Sequence, residues 1–222
     1  MKRFLIFIIT LVISVVPVYA SRLVEVPPSI KLPAKYTQEY VNYIVDEYKI
    51  VTNDKLIMVA LDMLKGTDGD FSRKAILGYN LTGYPIKIQF KNLASVNKDY
   101  ENFDAVGWKK KKKLYIYINP KHQNAPPAAL AALLAHEALH QDEYNSLSEE
   151  TFAWTMEAVV WIDLVSIYPE SNIESNSLVK RENTLKKLFE KGHNSSQYIK
   201  KAVYQNKGYQ GLPLTSPGFN EI

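Results

Sequence analysis

An alanine- and leucine-rich segment ends in two histidines: Pro127-Ala-Ala-Leu-Ala-Ala-Leu-Leu-Ala-His136-Glu137-Ala-Leu-His140. This composition predicts a helix over residues 128–142. Residues four apart in a helix lie on the same face about one turn apart, so the imidazoles of His136 and His140 can point at one metal ion. The carboxylate of Glu137 lies beside them, within reach of a water molecule on that metal. The segment therefore predicts two metal ligands and a general base.

A third metal ligand is expected close to these histidines, because catalytic zinc sites use three protein ligands and leave one position for water. The chain contains no cysteine, which excludes thiolate ligands. The pattern His-Glu-x-x-His-x-x-Gly-x-x-His would require glycine at position 143 and histidine at position 146, where this chain has Glu143 and Ser146. A carboxylate therefore has to complete the ligand set.

A second helix is predicted over residues 149–167, after a short polar turn, and it supplies three candidate carboxylates. Glu150 is the preferred third ligand, because it lies in the first turn of this helix, next to the end of the motif helix. Glu149 has an alternative role, since Ser146 three residues earlier indicates a capping box. Glu157 lies on the same face as Glu150, and we expect it to hold a ligand or to orient an imidazole. Glu149 and Glu157 also remain candidates for the third ligand.

The motif, followed by Glu-Glu-x-x-Ala-Trp at positions 149–154, resembles the gluzincin group of zinc metallopeptidases, and in particular its small members. The clear similarity covers residues 114–161, less than a quarter of the chain. The ten-residue step from His140 to Glu150 is shorter than in the large gluzincins, and no motif matches their separate transition-state stabiliser. The resemblance implies one zinc ion, three ligands and a general base: His136, His140 and Glu150 as ligands, and Glu137 as the base.

The order of predicted elements is helices, then strands, then helices, which indicates an α+β fold. The resemblance refines this fold to a zincin-like one, with a small sheet, an active-site helix, a following glutamate helix and additional flanking helices. The other predicted elements are helices at 37–50, 54–65, 177–191 and 196–204, and strands at 86–90, 105–108 and 114–118.

The function that the resemblance implies is metal-assisted hydrolysis of peptide bonds in a peptide or protein substrate. In the related folds the strand before the motif helix lies at the edge of the cleft, so residues 114–118 are expected to pair with an extended peptide. The alternative is a catalytically silent zincin-like module that only binds peptides, although the intact Glu137 favours the enzyme. A structural helical domain with a chance motif is a third interpretation.

Two further features of the middle and end of the chain have more than one interpretation. Tyr115, Tyr117, Asn119 and His193 are candidates for a group that stabilises the oxyanion, although the preferred interpretation of each is an ordinary one, such as a packed tyrosine or a surface histidine. The lysine run at 109–113 predicts a solvated hairpin turn rather than a site for an anionic partner.

The first twenty residues predict a secretory signal peptide. Lys2 and Arg3 precede an apolar run at 4–16, and small residues end with Ala20 at the expected cleavage site. The apolar run is shorter than the ~20 residues that span a bilayer, so we expect cleavage and no stable membrane span afterwards. The mature chain, residues 21–222, is expected to form one zincin-like domain in the periplasm or outside the cell.

The composition of the mature chain limits its partners and its source of stability. Without the signal it has 25 basic and 23 acidic side chains, a near balance that gives no indication of nucleic-acid binding. The hydrophobic fraction of the full chain, 46%, is enough to form a core without disulfide bonds. The oligomeric state is not predicted.

Overall fold

Seven α-helices and a three-stranded sheet form the regular structure of residues 37–220, the part of the chain that the computed structural model describes. This architecture confirms the predicted α+β class, and all described residues belong to one compact unit. The predicted signal peptide lies outside the described residues. The helices are α1 (Gln38–Tyr48), α2 (Lys55–Met63), α3 (Asp70–Ile76), α4 (Pro127–Glu137), α5 (Leu147–Ile167), α6 (Ser177–Lys191) and α7 (Gln197–Gln205), and the strands are β1 (Lys87–Phe90), β2 (Ala105–Lys110) and β3 (Lys113–Ile118).

The sheet has the order β1-β3-β2, with β1 parallel and β2 antiparallel to β3. In the register of the second pair, Gly107 lies opposite Ile116. Both backbone edges of β3 are therefore occupied. This topology contradicts the expectation that residues 114–118 pair with an extended peptide. The strand that packs on α4 is β2, at the edge of the described sheet.

The lysine run forms the hairpin that the sequence predicted. Strands β2 and β3 are joined by a tight turn at Lys111 and Lys112, and Lys111 adopts a positive φ of 58°. The side chains from Lys110 to Lys113 are exposed, while Lys109 forms an ion pair with Glu143. Solvation and one local ion pair account for the run.

Helix α4 is the centre of the fold. Every residue from Pro127 to Glu137 is buried, and the helix packs against α2, α3, α5, α6 and β2. A helix that is apolar on all sides is stable only inside a protein, and the alanines allow its neighbours to approach closely. The hydroxyl of Ser72 on α3 donates to the carbonyl of Ala135 at 2.9 Å, which fixes the last turns of α4 against α3.

The motif helix ends earlier than the sequence predicts. Helix α4 stops at Glu137 with Ala138 as its C-cap, and the two backbone N–H groups that follow Ala138 turn back by three residues: Leu139 donates to His136 and His140 donates to Glu137. Such i→i−3 bonds tighten the end of a helix into a turn. His140 therefore lies in the turn after α4, and its side chain is placed by that turn.

Helix α5 begins two residues earlier than predicted, because Ser146 is its N-cap. The Ser146 hydroxyl accepts the N–H of Glu149 at 3.1 Å, and the helix then continues to Ile167 as predicted. Among the helices that the structure describes, none combines the length and the apolar character that crossing a bilayer requires.

Candidate metal centre

Three side chains converge where α4 ends and α5 begins: His136, His140 and Glu150. One ligand atom from each lies within 4.8 Å of the others. The Nε2 atom of His136 is 3.7 Å from Glu150 Oε2, and the Nε2 atom of His140 is 3.7 Å from Glu150 Oε1. Each imidazole thus faces a different oxygen of the same carboxylate.

The other nitrogen of each imidazole is held by its own glutamate. The Nδ1 atom of His136 donates to Glu157 Oε2 at 2.9 Å, and the Nδ1 atom of His140 donates to Glu149 Oε1 at 2.9 Å. A carboxylate on Nδ1 fixes the orientation and tautomer of the ring and leaves the Nε2 lone pair available to a metal. Both Nε2 atoms face Glu150.

The structure separates the three glutamates that the sequence left as candidates. Glu150 faces both Nε2 atoms, whereas Glu149 and Glu157 each bind an Nδ1 atom. The capping box expected for Glu149 is only half formed: Ser146 caps the helix, but its own N–H donates to Asn145 Oδ1 at 2.7 Å. The Glu149 carboxylate is used by His140 instead.

The Glu150 carboxylate provides a test of whether a cation fits here. Its Oε1 atom accepts from the Asn145 side-chain amide at 2.6 Å, whereas its buried Oε2 atom has no hydrogen-bond partner among residues 37–220. A buried acceptor without a partner is costly, and a cation between this oxygen and the imidazoles would offset that cost. Two imidazole nitrogens and one carboxylate are a donor set typical of catalytic zinc.

Burial and neighbouring charge set different protonation states for the two histidines. Burial lowers the pKa of His136 well below 6.5, so this imidazole is neutral. Burial also lowers the pKa of His140, but the charges of Glu150, Glu149 and Glu137 and the Glu149 hydrogen bond outweigh it and raise the pKa to about 9. Metal binding at neutral pH would therefore displace a proton from His140.

Glu137 lies at the last turn of α4, against the edge strand. Burial raises the pKa of its carboxyl to about 7, although the backbone N–H of Gly107 on β2 acts to lower it. Only glycine fits at position 107, because a Cβ there would lie 2.7 Å from His140 Cβ and 3.2 Å from the Glu137 carbonyl oxygen. Strand β2 thus passes directly over the histidine motif.

Arg181 on α6 supports His136 through Glu157. Its guanidinium group donates from both Nη atoms to the buried Glu157 carboxylate, with Nη2 at 2.9 Å from Oε2. Its Nε atom lies 3.3 Å from Asp104 Oδ2, and Asp104 in turn lies 2.7 Å from His122 Nε2. Burial acts to raise the pKa of Asp104, but the His122 hydrogen bond and the charge of Arg181 hold it well below its usual range.

Two cavities, of about 460 Å³ and about 330 Å³, open beside His136 and Glu137. The segment from Asn206 to Leu212 lines both, and Phe103 and Gly208 are in the lining of each. The larger cavity has a strongly aromatic wall, and the smaller one contains Arg181. Five aromatic side chains line the larger cavity: Tyr100, Phe103, Trp108, Tyr144 and Tyr209.

The phenol of Tyr209 lies beside the candidate ligand Glu150. Its hydroxyl accepts from Trp154 Nε1 at 3.0 Å and faces Glu150. Burial and the charge of Glu150 raise its pKa well above 10, so this hydroxyl keeps its proton. The four sequence candidates for an oxyanion stabiliser lie elsewhere in residues 37–220: Tyr115 and Tyr117 stack on the sheet, Asn119 caps a turn, and His193 follows α6.

Sequence reasoning missed the side chains that reach the site from distant parts of the chain. Arg181, Asp104 and Tyr209 carry no motif, since their role depends on how α6 and the C-terminal segment pack. Gly107 did leave a signal, because an isolated glycine in a strand pattern indicates a close backbone approach.

Comparison of the chain with models of known protein families, with curated proteins and with solved structures finds no match. A function therefore has to be inferred from the chemistry of the site.

Proposed function

We propose that this chain is an exported zinc-dependent peptidase with a zincin-like fold. In this proposal His136, His140 and Glu150 bind one zinc ion, Glu137 is the general base, and Glu149 and Glu157 orient the imidazoles. The observation that carries it is the convergence of both Nε2 atoms on Glu150, with each Nδ1 atom held by a separate carboxylate. A chance pair of histidines would not have both rings oriented in this way.

A zinc ion bound there supplies Lewis acidity, which polarises a carbonyl group and makes water more acidic. Glu137 accepts the proton of the attacking water and passes it to the leaving amine. In the metal-free protein burial raises its pKa to about 7, and a bound cation would lower this value and so favour the carboxylate form that accepts a proton. The N–H of Gly107 restrains this carboxylate beside the histidines.

The geometry favours β2 as the strand that binds an extended peptide. It is an edge strand of the described sheet, it crosses the motif at Gly107, and it borders the aromatic cavity through Trp108. A peptide added to this edge would place a backbone carbonyl near Glu137 and a side chain in the cavity. Bulky apolar side chains match the aromatic wall.

Tyr209 is the proposed donor to the oxyanion. It lines both cavities beside His136 and Glu137, and its raised pKa keeps it a hydrogen-bond donor. A preorganised donor at such a position stabilises negative charge that develops on the carbonyl oxygen. The phenol would have to turn from Glu150 to the substrate.

The decisive experiment measures bound metal and peptide cleavage together. Purified wild-type protein is expected to hold one zinc ion and to cleave unstructured peptides. Glu137→Gln should keep the zinc and lose cleavage, whereas Glu150→Ala should lose both. Glu170→Gln, on an exposed turn, is the matched control and should change neither.

Other outcomes would separate the alternatives. Zinc and peptide binding without cleavage in the wild type would favour the catalytically silent binding module. Wild-type protein that binds no zinc would reject the metal site altogether. Equal cleavage by Glu137→Gln would reject the assigned base.

A further inference from the structure

The residues 213–219, called here the C-terminal strap, cross the first turn of α5. The carbonyl of Pro213 accepts the N–H of Leu147, and the carbonyl of Leu214 accepts the N–H of Ser148, each at 3.0 Å. The first N–H groups of a helix have no partner within the helix, so acceptors from elsewhere stabilise this end. The strap therefore binds directly to the turn that carries Glu149 and Glu150.

Ser216 reaches from the strap to the support of a candidate ligand. Its hydroxyl donates to Glu149 Oε2 at 2.9 Å, and Glu149 Oε1 accepts from His140 Nδ1 at 2.9 Å. Each oxygen of this buried carboxylate thus has one donor, and the two donors come from the strap and from the motif turn.

A closed ring of hydrogen bonds fixes the direction of each donor. The N–H of Glu149 donates to Ser146 Oγ at 3.1 Å, and Ser146 Oγ lies 3.0 Å from Ser216 Oγ. Because the Ser216 hydroxyl donates to Glu149, the Ser146 hydroxyl has to donate to Ser216. Ser146 and Glu149 are almost fully buried, so water does not replace a missing donor readily.

The strap is anchored on both sides of Ser216. Before Ser216, the carbonyls of Pro213 and Leu214 accept hydrogen bonds from α5. After it, the backbone of Ser216 pairs with that of Phe219 in a short β-bridge. The ring of Phe219 packs against Phe152, one turn further along α5, with centroids 5.9 Å apart. The position of the Ser216 hydroxyl is thus defined relative to α5.

The two histidines are supported by different parts of the chain. His136 depends on Glu157 and Arg181, which lie on two packed helices. His140 depends on Glu149 and, through it, on Ser216 of a non-helical segment. Because His140 lies in a turn beyond the end of α4, its orientation has less support from the helix itself.

We propose that Ser216 is a positioning residue of the metal centre: it holds Glu149, and Glu149 holds His140 in the orientation that binds zinc. This inference rests on the proposed metal site. It assigns to the C-terminal strap a direct influence on metal affinity, in addition to its capping of α5.

The test is a zinc titration in competition with a chelator, at one fixed pH, on full-length variants. Ser216→Ala should weaken zinc binding about tenfold, as removal of outer hydrogen-bond partners does at other zinc sites. Ser216→Cys keeps the size and offers a weaker donor, so its affinity should lie between those of Ala and Ser. Ser216→Cys also tests the proposal if the alanine variant folds poorly. Thr215→Ala, at an exposed neighbouring position, should bind zinc as the wild type does.

A second readout needs no metal. The Nδ1 proton of His140, held by Glu149, should give a downfield NMR signal in the metal-free wild type, and Ser216→Ala should broaden or lose it. Equal zinc affinity of Ser216→Ala and wild type would overturn the positioning role while the proposed peptidase stands. Wild-type protein without zinc affinity would overturn the proposed function, and an NMR signal unchanged by Ser216→Ala would overturn the role of Ser216 independently.

Discussion

The Oε2 atom of Glu157 lies 2.9 Å from the Nδ1 atom of His136, inside the buried contact between α4 and α5. The same carboxylate binds the guanidinium group of Arg181. A full negative charge is tolerated there only because a positive charge and an N–H group both contact it. The core of the fold therefore fixes one of the two imidazoles.

Removal of the Glu157 charge should affect both stability and metal binding. Glu157→Gln leaves Arg181 without its main buried partner, so the free energy of unfolding should fall by about 3 kcal/mol. His136 should also lose its fixed orientation, and zinc affinity should fall 10- to 100-fold. Urea unfolding of the metal-free protein and chelator competition measure the two effects.

The control for this charge is Glu190, which is exposed on α6 and pairs weakly with Lys186. Glu190→Gln should change the free energy of unfolding by less than about 1 kcal/mol and leave zinc affinity unchanged. A Glu157→Gln variant that behaves like this control would contradict the assigned role of Glu157.

A methyl group at position 107 should disturb the site from the side of the sheet. In Gly107→Ala the new Cβ would lie 2.7 Å from His140 Cβ, so β2 or the motif turn has to move. We expect a loss of about 1–3 kcal/mol in stability, typical of overpacking, together with weaker zinc binding. Differential scanning calorimetry and zinc titration are the measurements.

Gly66→Ala is the control for Gly107→Ala, because it introduces backbone strain without the steric overlap that a Cβ at position 107 causes. Gly66 has a positive φ of 73° and open space around its Cβ position. Its replacement should cost about 1 kcal/mol through backbone strain alone, with unchanged zinc affinity. Equal zinc affinities for Gly107→Ala and Gly66→Ala would show that β2 does not restrain His140.

Contacts between residues that are close in the sequence were predictable, whereas contacts between distant residues were not. His136, Glu137 and His140 were predictable because local spacing places them together, and Glu150 because a short turn joins two helices. Local pattern also gave the strands of the sheet to within two residues at each end. These contacts need no knowledge of how distant segments pack.

The remaining contacts depend on tertiary packing, which a single sequence does not reveal. Glu149 was assigned to a capping box, but the early end of α4 brings His140 to it instead. Arg181 lies 24 residues after Glu157, and Ser216 lies 67 residues after Glu149. No periodicity links such pairs, so Arg181 and Ser216 could not be predicted from the motif, whereas the expected role of Glu157 in orienting an imidazole agrees with its contact to His136.

The stability of the metal-free protein should fall as pH rises from about 6.5 to about 9. The folded-state pKa of His140, about 9, lies above the ordinary value of 6.5, so native protein binds the proton more tightly than unfolded protein does. The stabilisation is present in full below pH 6.5 and is lost as pH rises through 9, by up to about 1.4 kcal/mol per pH unit. Urea unfolding across this range measures the slope.

His140→Asn is the control, because it removes the titrating group. The loss should become smaller in this variant, with a remainder from Glu137 and Glu182, whose pKa values burial raises to about 7 and about 8. His140 has to release its proton to bind metal, so the apparent zinc affinity of the wild type should rise with pH. In the presence of zinc, the stability of the wild type should therefore rise with pH instead of falling. A wild-type slope equal to that of His140→Asn would contradict the raised pKa of His140.

Tyr209 should affect turnover without affecting metal content. Tyr209→Phe removes one neutral donor beside His136 and Glu137, and loss of an oxyanion donor typically lowers kcat by about 10²–10³. KM and bound zinc should stay close to wild-type values, because the phenyl ring of the variant still fills the same place against Trp154. Tyr204→Phe, on an exposed face of α7, is the matched control and should keep full kcat. If Tyr209→Phe also keeps full kcat, the phenol serves only to pack the C-terminal segment over the cleft. A fall in bound zinc would instead indicate that its contact with Glu150 supports the ligand.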